Sequence, residues 1–240
     1  MADIIKISIG GQESDALFGA TQAPGRHPAI LIAHHQEGLS PFTRDLVDKL
    51  AACGYVAICP DHYHRCRPED DLDTRRNSLR DPAVLGELGA ALDFLKAHPK
   101  VRADRIAVIG HCMGGRAAFL AAGSLSGFAA AVIFYPTGML AKRGENCVAF
   151  DRLHKIACPV IAFFGETDRL IPLDHADKID AELRRCGIPV ESHRYANAGH
   201  AFCNFGSPTD YRETAAADSW KRAVAFLDRH LKSATGPVAG

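Results

Sequence analysis

The sequence has no excess of either charge, since its 240 residues include 28 basic and 28 acidic side chains. A protein that binds nucleic acid or an anionic membrane usually carries a basic surplus that pairs with phosphates. The balance therefore argues against both partners. It leaves open a small anionic ligand that is bound by a local cluster of arginines.

The chain also lacks the segments that direct a protein into a membrane. Its first residues, MADIIKISIG, contain no cationic region followed by a long apolar run, and no apolar stretch approaches the length of a bilayer span. Eight cysteines are present, but none belongs to a C-x-x-C pair. We therefore predict a cytoplasmic protein with free thiols, most of them packed as small apolar side chains, as for Cys59 and Cys158.

No internal repeat, low-complexity tract or linker rich in proline and glycine divides the chain. The length suits one domain with a sizeable core. We expect a single domain over residues 1–240, with a flexible tail from about 233 to 240.

Apolar, β-branched runs alternate with helical segments along the chain. Continuous apolar runs, typical of strands buried on both faces, cover 28–35, 54–61, 104–111, 128–136 and 158–166. The first twenty residues favour an antiparallel hairpin, and 190–197 alternates like a strand near an edge. Helical segments cover 41–54, 84–98, 113–123, 173–187 and 211–231. This order predicts an α/β protein with a mostly parallel, doubly wound sheet of about seven to eight strands and helices on both faces.

A cysteine follows one of these strands in the segment Gly-His-Cys-Met-Gly, residues 110–114. A nucleophile in a tight strand-to-helix turn needs small residues two before and two after it, and Gly110 and Gly114 meet that need. The dipole of the following helix favours a thiolate at Cys112. The backbone N–H of Met113 is free to bind an oxyanion. We predict that Cys112 is a catalytic nucleophile.

Two later strands end beside an acid and a histidine. Asp168 follows 158–166, and His200 follows 190–197. The order Cys112, Asp168, His200 is the nucleophile–acid–base order of the α/β-hydrolase triad. The alternatives are that Asp168 caps the helix near Pro172, that Glu166 is the acid, and that His200 is a solvated loop residue.

The loop after the strand at 28–35 reads HHQEGLS, residues 34–40. We assign the second oxyanion N–H to Gln36. His34, His35 and Glu37 are expected to support the site or to face the substrate, with the alternative that at least one histidine is a hydrogen-bonded core residue.

The polar segment 61–81 contains five arginines and follows a strand end, so it can overhang the site. A charged loop is usually only solvated, but an arginine here could bind a substrate carboxylate. His62 and His64 form an H-x-H pair without an obvious third ligand, which is a weak metal pattern, and we predict no metal.

Four segments resemble the dienelactone hydrolase family, also called the carboxymethylenebutenolidases: GHCMGG (110–115), GYVAICPDHY (54–63), FFGETDRLIP (163–172) and YANAGHAF (195–202). The resemblance covers almost the whole chain, and it is specific because members use cysteine where most α/β-hydrolases use serine. It implies a compact α/β-hydrolase fold without a separate cap domain. It also implies a triad of Cys112, Asp168 and His200.

Two positions depart from the family pattern. The best-known members carry a glutamate in the loop after the early strand, where this chain has His35, with Glu37 two residues later. They carry an arginine four residues after the catalytic histidine, where this chain has Asn204. The family's other carboxylate-binding arginine would correspond to Arg76 or Arg80. We take these five residues as candidate substrate-binding positions.

The predicted function is hydrolysis of a lactone or activated ester, dienelactone-like, through a thioester acyl-enzyme intermediate, with no metal or organic cofactor. The expected substrate is a small ester or lactone, and this class includes anionic molecules. The protein is expected to be a monomer or a weak homodimer. One alternative is a broad-specificity carboxylesterase or thioesterase without a dienelactone preference. The other is a non-catalytic α/β-hydrolase-fold protein that binds a ligand.

Overall fold

A computed structural model describes residues 1–144 and 148–233. The strands are β1 Asp3–Ile9, β2 Gln12–Ala20, β3 His27–Ala33, β4 Val56–Pro60, β5 Val101–His111, β6 Phe128–Phe134, β7 Val160–Gly165 and β8 Val190–Tyr195. The helices are α1 Pro41–Ala52, α2 Leu72–Ser78, α3 Asp81–Ala97, α4 Met113–Ala122, α5 Leu173–Arg185 and α6 Glu213–Leu231, with a short 3₁₀ helix at Ala149–Lys155. Cys147 and the predicted tail beyond Ser233 lie outside the described residues.

The strands form one sheet of eight in the order β1-β2-β4-β3-β5-β6-β7-β8. β1 and β2 form the predicted antiparallel hairpin, and β2 also runs antiparallel to β4. All other neighbours pair in parallel. The predicted sheet is therefore confirmed, and so is the edge position of β8.

The central strands are continuously apolar because helices cover both of their faces. α3 and α4 pack together on one face, while α1 and α6 lie on the other. In β5 the four residues 106–109 are fully buried. Cys59 and Cys158 are buried as well, which confirms their predicted role as small apolar side chains.

The loop after β3 is held in place by the start of α1. The Ser40 hydroxyl accepts a hydrogen bond from the backbone N–H of Thr43 at 3.4 Å, and Pro41 occupies the first helical turn. Both features stabilise a helix N-terminus. As a result the segment between His34 and Ser40 is short and fixed at both ends.

Two helical segments were not predicted. The segment 61–81, interpreted as a charged loop, contains α2, whose first turn is capped by Asp71 accepting from the Thr74 N–H at 2.7 Å. α2 buries no residue, so no apolar periodicity indicates it. The 3₁₀ helix is too short to show a helical period. Among residues 1–144 and 148–233, no helix combines the length and apolar content that crossing a bilayer requires.

Candidate active site

Cys112 lies between β5 and α4 with φ 56° and ψ −121°, a left-handed conformation that is strained for a residue with a side chain. A Cβ atom at Gly110 would lie 2.0 Å from the carbonyl oxygen of Gly114. One at Gly114 would lie 2.1 Å from the carbonyl oxygen of Ala33. Only glycine fits either position, which confirms the predicted tight turn and places the end of β3 against it.

Three strand ends bring Cys112, His200 and Asp168 into one chain of contacts. His200 Nε2 lies 3.0 Å from Cys112 Sγ, and its Nδ1 lies 2.8 Å from Asp168 Oδ2. The Asp168 side chain is 1% exposed and that of His200 is 16% exposed. The spacing matches that of a nucleophile, a base and an orienting acid.

The Asp168 carboxylate is fixed by its own loop. Oδ1 accepts hydrogen bonds from the backbone N–H groups of Leu170 and Ile171 at 2.8 and 3.0 Å, which leaves Oδ2 toward His200. Asp168 thus bonds the loop that precedes α5, whereas α5 begins at Leu173, after Pro172, without a side-chain cap. Glu166, the rival acid, is exposed and makes no hydrogen bond to His200.

The charge of His200 is set by competing influences. Burial disfavours the imidazolium, but hydrogen bonds to Asp168 and Cys112 outweigh it and raise the pKa of His200 to about 9. The imidazole edge also packs against the Tyr135 ring, with centroids 5.1 Å apart. His200 is therefore positively charged at neutral pH, beside the sulfur of Cys112.

The two residues predicted to supply oxyanion N–H groups lie near each other. The Tyr63 hydroxyl donates to the Gln36 carbonyl at 2.8 Å and lies 3.9 Å from Met113 Sδ. The Met113 N–H belongs to the first turn of α4 and has no acceptor within that helix. Within the described ranges no protein acceptor takes the N–H of Gln36 either. The binding of an oxyanion by these two N–H groups stays a prediction. Tyr63, which contacts both residues, was not expected from the sequence.

The paired histidines after β3 are both buried. His34 donates from Nδ1 to the His35 carbonyl at 2.7 Å and accepts from the His62 backbone N–H at Nε2 at 2.9 Å. Burial lowers the pKa of His34 well below its usual value. His34 is thus the hydrogen-bonded core histidine that the sequence left as an alternative.

His35 is 5% exposed, and its Nε2 lies 2.7 Å from the Ser40 hydroxyl. Burial lowers the pKa of His35 and favours the neutral ring. Glu37, two residues later, is exposed and accepts a long hydrogen bond of 3.5 Å from the Asn204 amide. Glu37 and Asn204 thus meet across the site, and a substrate role for these three residues stays a prediction.

The predicted arginines have other partners. Arg76 pairs with Asp73 at 2.9 Å, and Arg80 is exposed and donates to the carbonyls of Asn77 and Leu79. Arg143, which the sequence did not single out, donates to the Arg76 carbonyl at 3.0 Å. Arg143 lies in the loop after β6, outside the arginine-rich segment 61–81.

Arg76 and Arg143 lie on the Tyr63 side of the site. Burial raises the pKa of Tyr63, and the positive charges of both guanidinium groups partly offset the rise. Burial also lowers the pKa of Arg143, with the charge of Arg116 adding to the effect. Positive charge is therefore concentrated near Tyr63.

His62 and His64 bind a carboxylate rather than each other. Their ring nitrogens lie 2.7 and 3.1 Å from the two oxygens of Glu87, which is fully buried and also bonds Arg65. Burial raises the pKa of Glu87 to about 7, although Arg65 and His64 oppose the rise. Over the described part of the chain, no cluster of histidine, cysteine, aspartate or glutamate has the arrangement of a metal site.

An apolar cleft of about 330 Å³ lies beside the end of β6 and the loop after Asp168, and its lining includes Pro136, Met139, Leu170 and Ile171. Thr137, next to this lining, places Oγ1 3.8 Å from Cys112 Sγ. The end of β6 therefore lies beside the site. The signal for Thr137 in the sequence is its position shortly after a strand, which the triad residues share. The cleft offers room for an apolar group of a substrate.

Comparison with known proteins shows similarity along almost the whole chain. The sequence model described as "Dienelactone hydrolase family" matches residues 15–231. The probable 2-oxo-3-(5-oxofuran-2-ylidene)propanoate lactonase of a Bradyrhizobium species is 28% identical, with 95% of this chain and 94% of the relative covered. The carboxymethylenebutenolidase of Pseudomonas putida is also 28% identical, with 92% and 93% covered.

A solved structure from Klebsiella pneumoniae, provisionally named a dienelactone hydrolase, superposes with a TM-score of 0.88 at 27% identity, covering 95% of this chain and 98% of that one. The predicted α/β-hydrolase fold is therefore confirmed, with no separate cap over residues 1–144 and 148–233.

Proposed function

Since this chain belongs to the dienelactone hydrolase family and is a carboxylic ester hydrolase, we propose that it cleaves its lactone or ester substrate with Cys112 as nucleophile, His200 as base and Asp168 as orienting acid. The observation that carries the proposal is the contact chain of 3.0 Å from sulfur to Nε2 and 2.8 Å from Nδ1 to the carboxylate. The strained turn at Cys112 supports it, because such strain is typical of a positioned nucleophile.

Acylation begins from the state in which the Cys112 thiol has transferred its proton to His200 Nε2. The raised pKa of His200 favours this state. The thiolate attacks the substrate carbonyl, and the N–H groups of Met113 and Gln36 bind the oxyanion that forms. When the tetrahedral adduct collapses, the carbon–oxygen bond breaks and the leaving oxygen takes the proton from His200. The product is a thioester at Cys112 with a neutral His200.

Deacylation uses the same groups in reverse. Neutral His200 takes a proton from water while the water oxygen attacks the thioester carbonyl. The second adduct expels the Cys112 thiolate and releases the carboxylic acid, which restores the thiolate and the imidazolium. The Asp168 carboxylate accepts a hydrogen bond from His200 Nδ1–H throughout, so that Nε2 always faces the sulfur.

The substrate that best fits is a small activated ester or an enol lactone. A thiolate is itself a good leaving group, so the tetrahedral adduct can return to substrate by expelling Cys112. It forms the thioester only when the substrate's oxygen is also a good leaving group. The apolar cleft beside Thr137 accommodates a hydrocarbon part, and Arg76 and Arg143 supply positive charge on the Tyr63 side for a carboxylate. The Bradyrhizobium relative is named for such a lactone, a furanone that carries a propanoate.

A second candidate is a broad-specificity carboxylesterase or thioesterase. Asn204 is buried and bonded to Glu37 and the Gly206 N–H, and Arg80 points its guanidinium at backbone carbonyls. Neither presents the free cation that a strict preference for an anionic lactone requires. Comparing kcat/KM for a carboxylate-bearing enol lactone and its methyl ester separates the candidates: a preference of about tenfold or more for the anion supports the first.

The triad is tested with Cys112→Ala, which should lower kcat/KM for p-nitrophenyl acetate and for an enol lactone by at least about 10³-fold. Cys186→Ala is the matched control, because Cys186 lies at the end of α5 and bonds Glu182 instead. Acid-quenched wild-type enzyme should also show the mass of one acyl group, absent from Cys112→Ala. Turnover by Cys112→Ala near the wild-type rate would reject the proposal.

A further inference from the structure

A second cavity, of about 310 Å³, lies between α1 and α6 on the face of the sheet away from α4. We call it the α1–α6 pocket. Its aromatic walls are Phe42, Phe134, Phe205, Tyr211 and Trp220, and His111 also lines it. Cys112, Asp168 and His200 do not line it, and it shares no lining residue with the cleft of about 330 Å³ beside the triad.

His111 is a buried polar group of this pocket that has no protein partner among the described residues. Its ring stacks on Phe134 with centroids 4.1 Å apart and meets Phe42 edge-on at 5.1 Å. The side chain is 5% exposed, and its ring nitrogens make no hydrogen bond to any residue of 1–144 or 148–233. Neither ring nitrogen belongs to the fully enclosed, unpartnered polar atoms of the described residues, so a molecule in the pocket can reach them and form a hydrogen bond.

The imidazole of His111 is neutral, because burial and the nearby His35 lower its pKa to about 3. A neutral imidazole offers one N–H donor and one nitrogen acceptor. The other polar groups at depth are engaged: Ser219 donates to the Ala216 carbonyl at 3.1 Å and lies 3.5 Å from the Cys203 sulfur. His111 is therefore the polar anchor of the pocket.

Charge at the mouth disfavours an anionic ligand. Lys49 pairs with Asp45 at 2.8 Å, and Glu213 adds a further negative charge at the rim. The walls are aromatic rings, which pack best against another flat ring. The ligand that matches is planar and uncharged, with one hydroxyl.

Tyr135 separates the two sites. Its fully buried ring lies 5.1 Å from His200 and 5.8 Å from His111, centroid to centroid. Its backbone φ of 34° is strained. The pocket is thus behind the triad, one aromatic ring away from the catalytic histidine.

We propose that the α1–α6 pocket binds a small, uncharged phenol, whose ring packs between Phe42, Phe205 and Trp220 and whose hydroxyl hydrogen-bonds to His111. The volume is at the lower end of ordinary small-molecule sites, which suits a ligand of one ring. The proposal does not depend on the chemistry at Cys112.

Trp220 is the sole tryptophan of the chain, so its fluorescence reports on this pocket. Titration of the whole protein with p-cresol should change the Trp220 emission with saturation, at a dissociation constant on the order of 0.1–1 mM, as is usual for so small a ligand. The same titration of Cys112→Ala should give the same constant. Toluene, which lacks the hydroxyl, should bind at least about tenfold more weakly.

Substitutions on α6 test whether p-cresol binds in the α1–α6 pocket. Ala216→Leu fills the pocket and should weaken p-cresol binding at least about tenfold, and Ala217→Phe does so from a more exposed position if the first variant is unstable. Ala225→Leu, an exposed alanine of α6 outside the lining, should leave binding unchanged. His111→Phe keeps the stacked shape and should remove the preference for p-cresol over toluene.

Two results would overturn the proposal. One is an absence of saturable change in the Trp220 emission. The other is p-cresol binding that persists unaltered in both Ala216→Leu and Ala217→Phe while competing with p-nitrophenyl acetate, since that places the phenol in the catalytic cleft.

Discussion

At the scale of single residues, two histidines that flank the nucleophile differ in charge. Burial disfavours the imidazolium at both His111 and His200. His200 has hydrogen bonds to Asp168 and Cys112 that overcome this effect, whereas His111 has neither and stays neutral. Hydrogen-bond partners therefore decide which imidazole can move a proton to and from a substrate.

Asp168→Asn tests how the base is oriented. The amide oxygen would still accept from Leu170 and Ile171, which turns the NH₂ group toward His200 Nδ1. Nδ1 would then become an acceptor, the proton would move to Nε2, and the base would be lost. We expect kcat for p-nitrophenyl acetate to fall by about 10²–10⁴-fold with an unfolding temperature close to wild type.

Glu166→Gln is the control for this substitution, because Glu166 is exposed and follows the same strand. Its kcat should stay within about twofold of wild type. If Glu166→Gln loses activity and Asp168→Asn keeps it, the acid has been assigned to the wrong residue.

The three triad residues predicted from the sequence share one property, which is a position shortly after a strand. Cys112, Asp168 and His200 follow β5, β7 and β8, and the carboxyl ends of parallel strands meet at one edge. Tyr63, three residues after β4, and Arg143, in the loop after β6, have long side chains, and no spacing along the chain indicates where those side chains lie. Their contacts depend on how the loops fold over the edge.

At the scale of elements, α4 shows how closely the turn after β5 is packed. Its first turn lies against the backbone at the end of β3, so a Cβ at Gly114 would meet two carbonyl oxygens, at 2.1 Å from Ala33 and 2.6 Å from His34. Backbone atoms cannot move aside as a flexible side chain can. The same approach sets the distance between the nucleophile and the loop that carries Gln36.

Gly114→Ala should therefore destabilise the protein by at least about 3 kcal/mol, or prevent folding, although alanine is the better helix former. Gly86→Ala in α3 is the matched control, since a Cβ there has no atom within 4 Å. It should raise the free energy of unfolding by about 0.5–1 kcal/mol. Urea denaturation measures both, and equal effects of the two substitutions would contradict this account.

Elements were predictable where packing leaves a pattern in the sequence. β5, β6 and β7 are buried on both faces and so read as apolar runs, while α5 and α6 bury one face each. α2 buries nothing and depends on its cap and local pairs, which leave no periodic signal. The helix that the sequence did not indicate within 61–81 is therefore one that buries no residue.

At the scale of the whole molecule, buried ionisable groups give stability opposite dependences on pH. His62 and His111 have a pKa of about 3 in the fold against 6.5 when unfolded, so they oppose folding as pH falls below about 6.5. Glu87 has its pKa raised from 4.5 to about 7, so its contribution is present below 4.5 and is lost as pH rises to about 7. Between pH 7 and 9 His200 titrates, and the buried thiols of Cys59, Cys158 and Cys203, whose pKa burial raises, begin to contribute as the unfolded thiols ionise.

His200 has a pKa of about 9 in the fold against 6.5 unfolded, so its ring keeps a proton in that interval that it lacks in the unfolded chain. Its contribution is complete below about 6.5 and is lost as pH rises through 9. The free energy of unfolding then falls by up to about 2 kcal/mol between pH 7 and 9, and the full amount applies to molecules in which Cys112 keeps its own proton, because transfer of that proton to His200 leaves the number of bound protons unchanged. Urea denaturation at several pH values should show this fall in wild type and in His154→Gln, a substitution of an exposed histidine. His200→Gln should make the fall smaller and leave the part that the buried thiols contribute. An equal fall in His200→Gln would mean that other groups, and not the imidazolium bound between Asp168 and Cys112, govern alkaline stability.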